Sequence, residues 1–401
     1  MARRKTTDSG SSAVLPGSAP PLSAKQERLK SLVTTLKGRY PGKVLMGEEY
    51  TMPWAMRRLS FGIPDLDIAT NGGAPAGGIT MLVGKPGEGK NFLLNRLIRG
   101  QQRIYGDECA VAVIGTELPY DKTQGRLCGV KVSLSESEID KLDASERALR
   151  RPGLTKEQRA EMRAQVGTFL VVPPSTAEES FDVAVDLVAS GEFNIVALDS
   201  FGSILPEAEQ DQGFDKDSRV GGPAGLNTKL MRKLSGAFGA DDRGSPNLTC
   251  FVGINQVRDK LKAQPFEKQT HETGGWSLKH ARFLTVELQR IGWVTRGSDE
   301  NKERVGKVER WEITKQKAGG YEGHTGEYNY IFGRCDIDMG DLLLRLGLEY
   351  DVIEKAGNSY SYSGLILGTG KDKAAAAIMA CDLEEELTEV IMRAAGVALV
   401  P

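Results

Sequence analysis

Histidine is scarce in this chain, with three residues in 401, and the five cysteines (Cys109, Cys128, Cys250, Cys335, Cys381) stand far apart with no CxxC pair. A zinc site and a disulfide framework are both disfavoured, and scattered thiols suit a reducing cytoplasm. No apolar run approaches the roughly 20 residues of a membrane span. Arg3, Arg4 and Lys5 have no apolar stretch behind them, so the N-terminus does not read as a secretory signal. An excess of positive charge is missing too. The formal net charge is −2, and any contact with nucleic acid must come from local patches.

What is present is an ordinary globular composition, 40% hydrophobic and 26% charged, in a chain long enough for a large core. Residues 1–23 are rich in Ser, Pro and Gly and read as a disordered tail. From Ser23 to Lys37, Leu29, Leu32, Val33 and Leu36 share one helical face, and an extended stretch is expected at 43–46. A helix-plus-strand arm over 24–57 is too small to fold alone and must pack on a core or a neighbouring subunit. Between 58 and 331, apolar runs at 79–84, 110–115, 168–172, 193–198 and 248–254 alternate with helical segments. Their near-continuous hydrophobicity predicts a buried, largely parallel sheet covered on both faces. A charged insertion at 133–166 reads as two exposed, solvated helices, N-capped at Ser135 and Thr155 and broken at Pro152-Gly153. From 332 to 401 short helices and a YSYSG turn suggest a small C-terminal α/β domain.

The strongest chemical signal is GKPGEGKN at 84–91, which follows a predicted strand and precedes a helical run. That is the setting of a phosphate-binding loop. Gly84, Gly87 and Gly89 let the backbone wrap an anion, and Lys85, Pro86, Glu88 and Phe92 complete the segment. The following helix presents its positive end, and Lys90 reaches toward terminal phosphates. Asn91 stands where Ser or Thr usually binds Mg²⁺; its amide oxygen is a competent hard-cation ligand. Asp199 ends the apolar run IVALD, where P-loop enzymes hold the metal through water. Glu117 ends AVAVIGTE and is the candidate base for orienting attacking water.

Beyond these motifs, four segments in order resemble the RecA recombinase family: FGIPDLDIATNGGAPAGGITMLVGKPGEGK, IVALDSFGSILP, CFVGINQVRDKL and HETGGWSLKHARFLTVELQRIG. YDVIEKAGNSYSYSG at 350–364 is similar to that family's C-terminal domain. The resemblance runs from about 24 to 395, leaving out 133–166. It implies a RecA-like P-loop ATPase core with an N-terminal helix-strand oligomerisation arm, using ATP and Mg²⁺. Glu117 would be the catalytic glutamate, Asp121 would lie near the adenine, and Gln256 would sense the γ-phosphate. Lys315 and Lys317 would reach across a subunit interface, as an arginine finger does.

DNA would run along loops at 206–225 and 257–275, with Thr228, Arg232, Arg258 and Lys260 on phosphates. Gly274 and Gly275 would allow close backbone approach, and Trp276, where the family has a small polar residue, could stack on a base. His280 stands where the family has an aromatic interface residue. These departures suit a divergent member, phage-encoded ones included. The implied activity is ATP-dependent strand exchange by a helical filament on single-stranded DNA, paired with duplex, in the cytoplasm. Single-strand-binding and loader proteins are the expected helpers. The alternatives are a non-recombining RecA-like ATPase acting as mediator or regulator, or a hexameric DNA motor.

Overall fold

The computed structural model describes residues 23–49, 51–148, 152–173, 175–201, 222–239, 245–259, 270–272, 276–297 and 301–397. The chain divides into two units, 1–50 with 240–245, and 51–239 with 246–401. In the first, a helix spans Ala24–Arg39. Ser23 and Gln26 cap its start reciprocally, the side chain of each accepting the other's backbone N–H. Leu29 and Leu32 of its apolar face are exposed. The extended segment expected at 43–46 pairs with no strand among the described residues. It leads into a short 3-10 turn, Gly47–Glu49, whose Glu49 accepts from the Met46 N–H at 2.8 Å and pairs with Lys37 at 2.6 Å. Without a partner strand to take up its backbone groups, the segment satisfies them locally.

The second unit is built on strands labelled in chain order: β1 Arg58–Leu59, β2 Ala74–Pro75, β3 Gly78–Gly84, β4 Ala110–Gly115, β5 Thr168–Val172, β6 Ile195–Asp199, β7 Cys250–Asp259, β8 Thr270–Glu272, β9 Leu284–Arg296, β10 Glu303–Gln316, β11 Thr325–Ile331 and β12 Asp336–Ile337. The main sheet runs β12-β11-β10-β9-β3-β7-β6-β4-β5. From β9 through β3, β7, β6 and β4 to β5 every pairing is parallel. From β9 to β12 the sheet continues antiparallel. The apolar runs foretold the parallel half. The antiparallel extension was hidden because its strands are long, charged and only partly buried.

Both faces of the parallel half are covered. On one, Leu82, Val111, Val113, Ala197 and Val252 pack with Leu93 and Leu97 of the helix Lys90–Tyr105. The same core continues into Leu342, Leu346, Ile378, Leu387 and Ile391 of the C-terminal helices. On the other, Ile79, Met81, Val83, Val196, Leu198 and Phe251 meet Ala184 and Val188 of Ala177–Ser190 and Leu230 and Leu234 of Gly222–Ala237. The alternation of partners along each strand is the two-residue period of a pleated sheet. In the C-terminal portion, antiparallel strands β13 (Glu354–Ala356), β14 (Ser359–Tyr362) and β15 (Leu365–Thr369) form a second sheet. The tyrosines of the YSYSG segment therefore lie on β14, and the turn is confined to Ser363-Gly364.

The charged insertion forms helices Glu136–Ala148 and Lys156–Arg163, the second with a full capping box at Thr155 and Gln158. Arg159 bridges to Asp140 at 2.8 Å, and Lys122 to Glu138 at 2.8 Å. Exposed pairs of this kind contribute little each; Ile139 and Leu134 are buried, and the buried Asp143 carboxylate accepts the Leu154 N–H at 2.6 Å.

One polar knot holds the entry to the main sheet. Asp67, fully buried, accepts from the Ser60 hydroxyl at 2.6 Å, the Phe61 N–H at 2.7 Å and the Gly62 N–H at 3.0 Å. Removing that carboxylate takes the acceptor from the Ser60 hydroxyl and the buried Phe61 N–H, while the Gly62 N–H keeps the Ser60 Oγ at 2.8 Å. Asp67→Ala should therefore lower unfolding free energy by about 3 kcal/mol in urea titrations; a loss below about 1 kcal/mol would show the turn to be held by packing instead.

Candidate functional site

The carboxyl ends of four parallel strands meet at one edge, and the loop 84–91 stands above them. Gly87 and Gly89 take φ of 77° and 78°, the left-handed region that glycine enters without Cβ strain. Gly89 is the N-cap of the helix Lys90–Tyr105, so the loop runs straight into that helix's positive end. A Cβ on Gly84 would stand 2.8 Å from the Leu288 carbonyl, which keeps that position bare. The Lys90 ammonium curls under the loop and donates to the carbonyls of Gly84 at 2.9 Å and Lys85 at 2.7 Å. Burial lowers its proton affinity, and nearby Glu88 and Asp199 partly restore it. Glu88 folds back so that its carboxylate accepts the Lys85 N–H at 2.5 Å.

Asn91 and Asp199 come together. The Asn91 Nδ2 donates to Asp199 Oδ2 at 3.0 Å, leaving the amide oxygen as a spare acceptor. Burial raises the Asp199 pKa, while Asn91 and Lys90 oppose the rise. Among the described residues no three His, Cys, Asp or Glu side chains cluster as a metal site. Amide and carboxylate oxygens beside a phosphate cradle fit a hard cation that takes its other ligands from phosphate and water. Next door, Gln256 Nε2 donates to Glu117 Oε1 at 3.4 Å. Glu117 is placed there by Thr116, whose N–H donates to the Asp199 carbonyl at 2.7 Å and whose hydroxyl donates to the Ser200 carbonyl at 2.8 Å.

These residues line a cavity of about 560 Å³. Its far wall contains Tyr120 and Asp121. Asp121 caps the helix Lys122–Leu127 by accepting the Gln124 N–H at 2.9 Å, and Tyr120 donates to Asn95 at 2.9 Å. Three lining residues carry no sequence motif: Lys307 on β10, Tyr330 on β11, and Phe332 just past it. Phe92 meets the Tyr330 ring edge-on, with centroids 4.9 Å apart. The only available signal for Lys307 was a charge repeating at alternate positions of an otherwise apolar-faced strand, Lys307, Glu309 and Trp311.

The remaining candidates lie elsewhere. Lys315 and Lys317 do not line this cavity. Their ammonium groups donate to the carbonyls of Lys279 and His280, the latter at 2.5 Å, on the helix Trp276–Ala281. Thr228 and exposed Arg232 are one turn apart on Gly222–Ala237, directly after the first expected DNA loop. The backbone of Arg258 pairs with His271 across β7 and β8, so the ends of the second loop are zipped together. Trp276 begins the helix Trp276–Ala281. Lys260, Gly274 and Gly275 lie outside the described residues.

A glycine loop, a buried lysine and an acid at the ends of a parallel sheet define a P-loop nucleotide-binding protein of the mixed α/β class. Residues 153–334 match the family model for the RecA N-terminal domain. The chain is 26% identical to the protein RecA of Chlorobium chlorochromatii over 352 residues, covering 87% of this chain and 85% of that protein. It is 27% identical to the RecA proteins of Cytophaga hutchinsonii and Caldanaerobacter subterraneus, covering 87% of this chain and 85% and 88% of theirs. The chain is thus similar to RecA proteins along most of its length.

If Asn91 serves the metal both by its spare oxygen and by orienting Asp199, Asn91→Ala should raise the Mg²⁺ concentration for half-maximal ATP turnover about tenfold. An unchanged Mg²⁺ titration would remove Asn91 from the metal site.

Proposed function

We propose that this chain is an ATP-dependent recombinase that forms helical filaments on single-stranded DNA and pairs it with homologous duplex, in the cytoplasm. The observation that carries the reading is the junction of Gln256 with Glu117. One side chain lies within the nucleotide cavity and on the strand that leads directly into the second expected DNA loop. A change at the phosphates would thereby be felt at the DNA, and the reverse.

Bound ATP with Mg²⁺ supplies a phosphoanhydride whose cleavage can reset the filament. Lys90 and the loop N–H groups would hold the phosphates, with Asn91 and Asp199 at the metal. Glu117 would hold the proton of the attacking water, with Gln256 orienting its carboxylate. Asp121, Tyr120 and Phe332 would enclose the base. Lys315 and Lys317 would serve a neighbouring subunit; their exposed or half-buried position outside their own cavity supports that reading. Such a head-to-tail contact does not close on itself and so gives a helix. The exposed Leu29 and Leu32 of the N-terminal helix suit a contact of that kind. Arg232, Thr228, Arg258, Lys260 and the 274–276 segment would meet the DNA backbone, leaving base pairing to test sequence. Single-strand-binding and loader proteins would assist assembly.

ATP hydrolysis with and without single-stranded DNA, beside Lys90→Ala, tests the reading. Stimulation by DNA is expected, with turnover in the variant lower by roughly 100-fold. Nucleotide binding without any response to DNA would favour a mediator or regulator, and a closed ring in micrographs a hexameric motor.

A further inference from the structure

Two charged residues outside every sequence motif sit directly beneath the phosphate loop. Lys307 and Glu309 occupy alternate positions of β10 and so project from the same face of the strand. That face is the inner one. Glu309 is fully buried, Lys307 nearly so, and Trp311, next in the row, is also buried. The two form an ion pair, and Lys307 Nζ also donates to the Gly87 carbonyl at 2.6 Å. A Cβ added to Gly89 would lie 3.4 Å from the Tyr328 hydroxyl and 3.8 Å from Glu309 Oε1. The pair and the tyrosine thus form the floor beneath the loop's two left-handed glycines.

A buried ion pair is a weak device for stability, because desolvation consumes most of the attraction and apolar replacements are often neutral. Its retention under this loop therefore points to another task. A peptide is planar, so a held carbonyl fixes the plane of the whole Gly87-Glu88 unit. That unit also closes the turn in which the Glu88 N–H donates to the Lys85 carbonyl at 3.2 Å. A loop already fixed in its turn spares the ligand the cost of ordering it.

We propose that Lys307 is a positioning residue of the nucleotide site. Acting through the Gly87 carbonyl, with Glu309 holding its ammonium in place, it keeps the phosphate loop in its anion-binding turn before nucleotide arrives. The proposal rests on the reading of 84–91 as a nucleotide site.

The test uses the full chain, a fluorescent ATP analogue with Mg²⁺, thermal melting, and hydrogen exchange of the loop without nucleotide. Lys307→Met should melt earlier, since Glu309 is left buried and unpaired. Lys307→Met combined with Glu309→Leu should regain melting temperature yet bind the analogue about tenfold more weakly. In both, amides 85–89 should exchange faster than in the parent protein, and Lys307→Arg, which can keep both bonds, should restore protection and affinity. A double variant that binds like the parent, or unchanged exchange at 85–89 in Lys307→Met, overturns the proposal. A parent protein that binds no nucleotide overturns the nucleotide reading itself, and this proposal with it.

Discussion

Parallel pairing in a single register is the constraint from which the site follows. Gly84 lies opposite Gln256, Ile254 opposite Asp199, and Asp199 opposite Gly115. Parallel strands end on the same side, so the phosphate loop, the metal-side acid and the residues after β4 arrive at one edge without any long-range folding of loops. The register does not stop where the ladder does. The Thr116 N–H and hydroxyl reach the carbonyls of Asp199 and Ser200, the Ser200 N–H donates back to the Thr116 hydroxyl at 2.8 Å, and the Phe201 N–H donates to the Ile254 carbonyl at 2.9 Å. A slip of one residue at β6 would turn Asp199 into the apolar layer occupied by Leu198 and carry the cost of an unpaired buried carboxylate.

A second constraint fixes the loop's helix against that edge. Arg96, almost fully buried on Lys90–Tyr105, donates to the Phe61 carbonyl at 3.0 Å, to the Gly62 carbonyl, and to Asp336. Arg99 shares Asp336 at 2.9 Å. One guanidinium thereby ties the turn held by Asp67, the helix behind the phosphate loop and the outer strand β12. Its planar fork suits three acceptors at fixed angles, which a lysine could not match. Helix position, and with it the direction of the helix's positive end, is set by these bonds as much as by the apolar packing of Leu93 and Leu97.

Much of this was readable in the residues, for particular reasons. Strands β3, β4, β6 and β7 are buried on both faces and so have continuous apolar runs, and a glycine loop between strand and helix has few other uses. Glu117 and Asp199 were visible because each closes such a run, and Gln256 through the family resemblance of its segment. The antiparallel strands β9 to β11 were not visible, because one side of each is wet and the runs are broken by charge. Lys307, Tyr330 and Phe332 belong to that half, and no motif marks them. They become part of the cavity only because β3 pairs with β9, which places β10 and β11 beside the loop. The extended stretch expected at 43–46 finds no partner among this chain's described residues, and a strand exists only with a partner.

On the proposed reading, the charges gathered around the cavity would make nucleotide and metal bind together. Four carboxylates, Glu88, Glu117, Asp121 and Asp199, line it against the two ammonium groups of Lys90 and Lys307. A polyphosphate entering alone would meet an excess of negative charge in a partly desolvated site, where such repulsion is several times stronger than in water. Lys307 is already engaged by Glu309 and the Gly87 carbonyl, so little of its charge is free for a ligand. Only Lys90 and the loop's own N–H groups then face the phosphates, and they are too few to outweigh the acids. A divalent cation held beside Asp199 would reverse the balance, since one of the repelling carboxylates would then serve as a ligand for the ion that the phosphates carry. The acids that would make metal-free nucleotide a poor ligand are the same ones that would make the metal complex a good one.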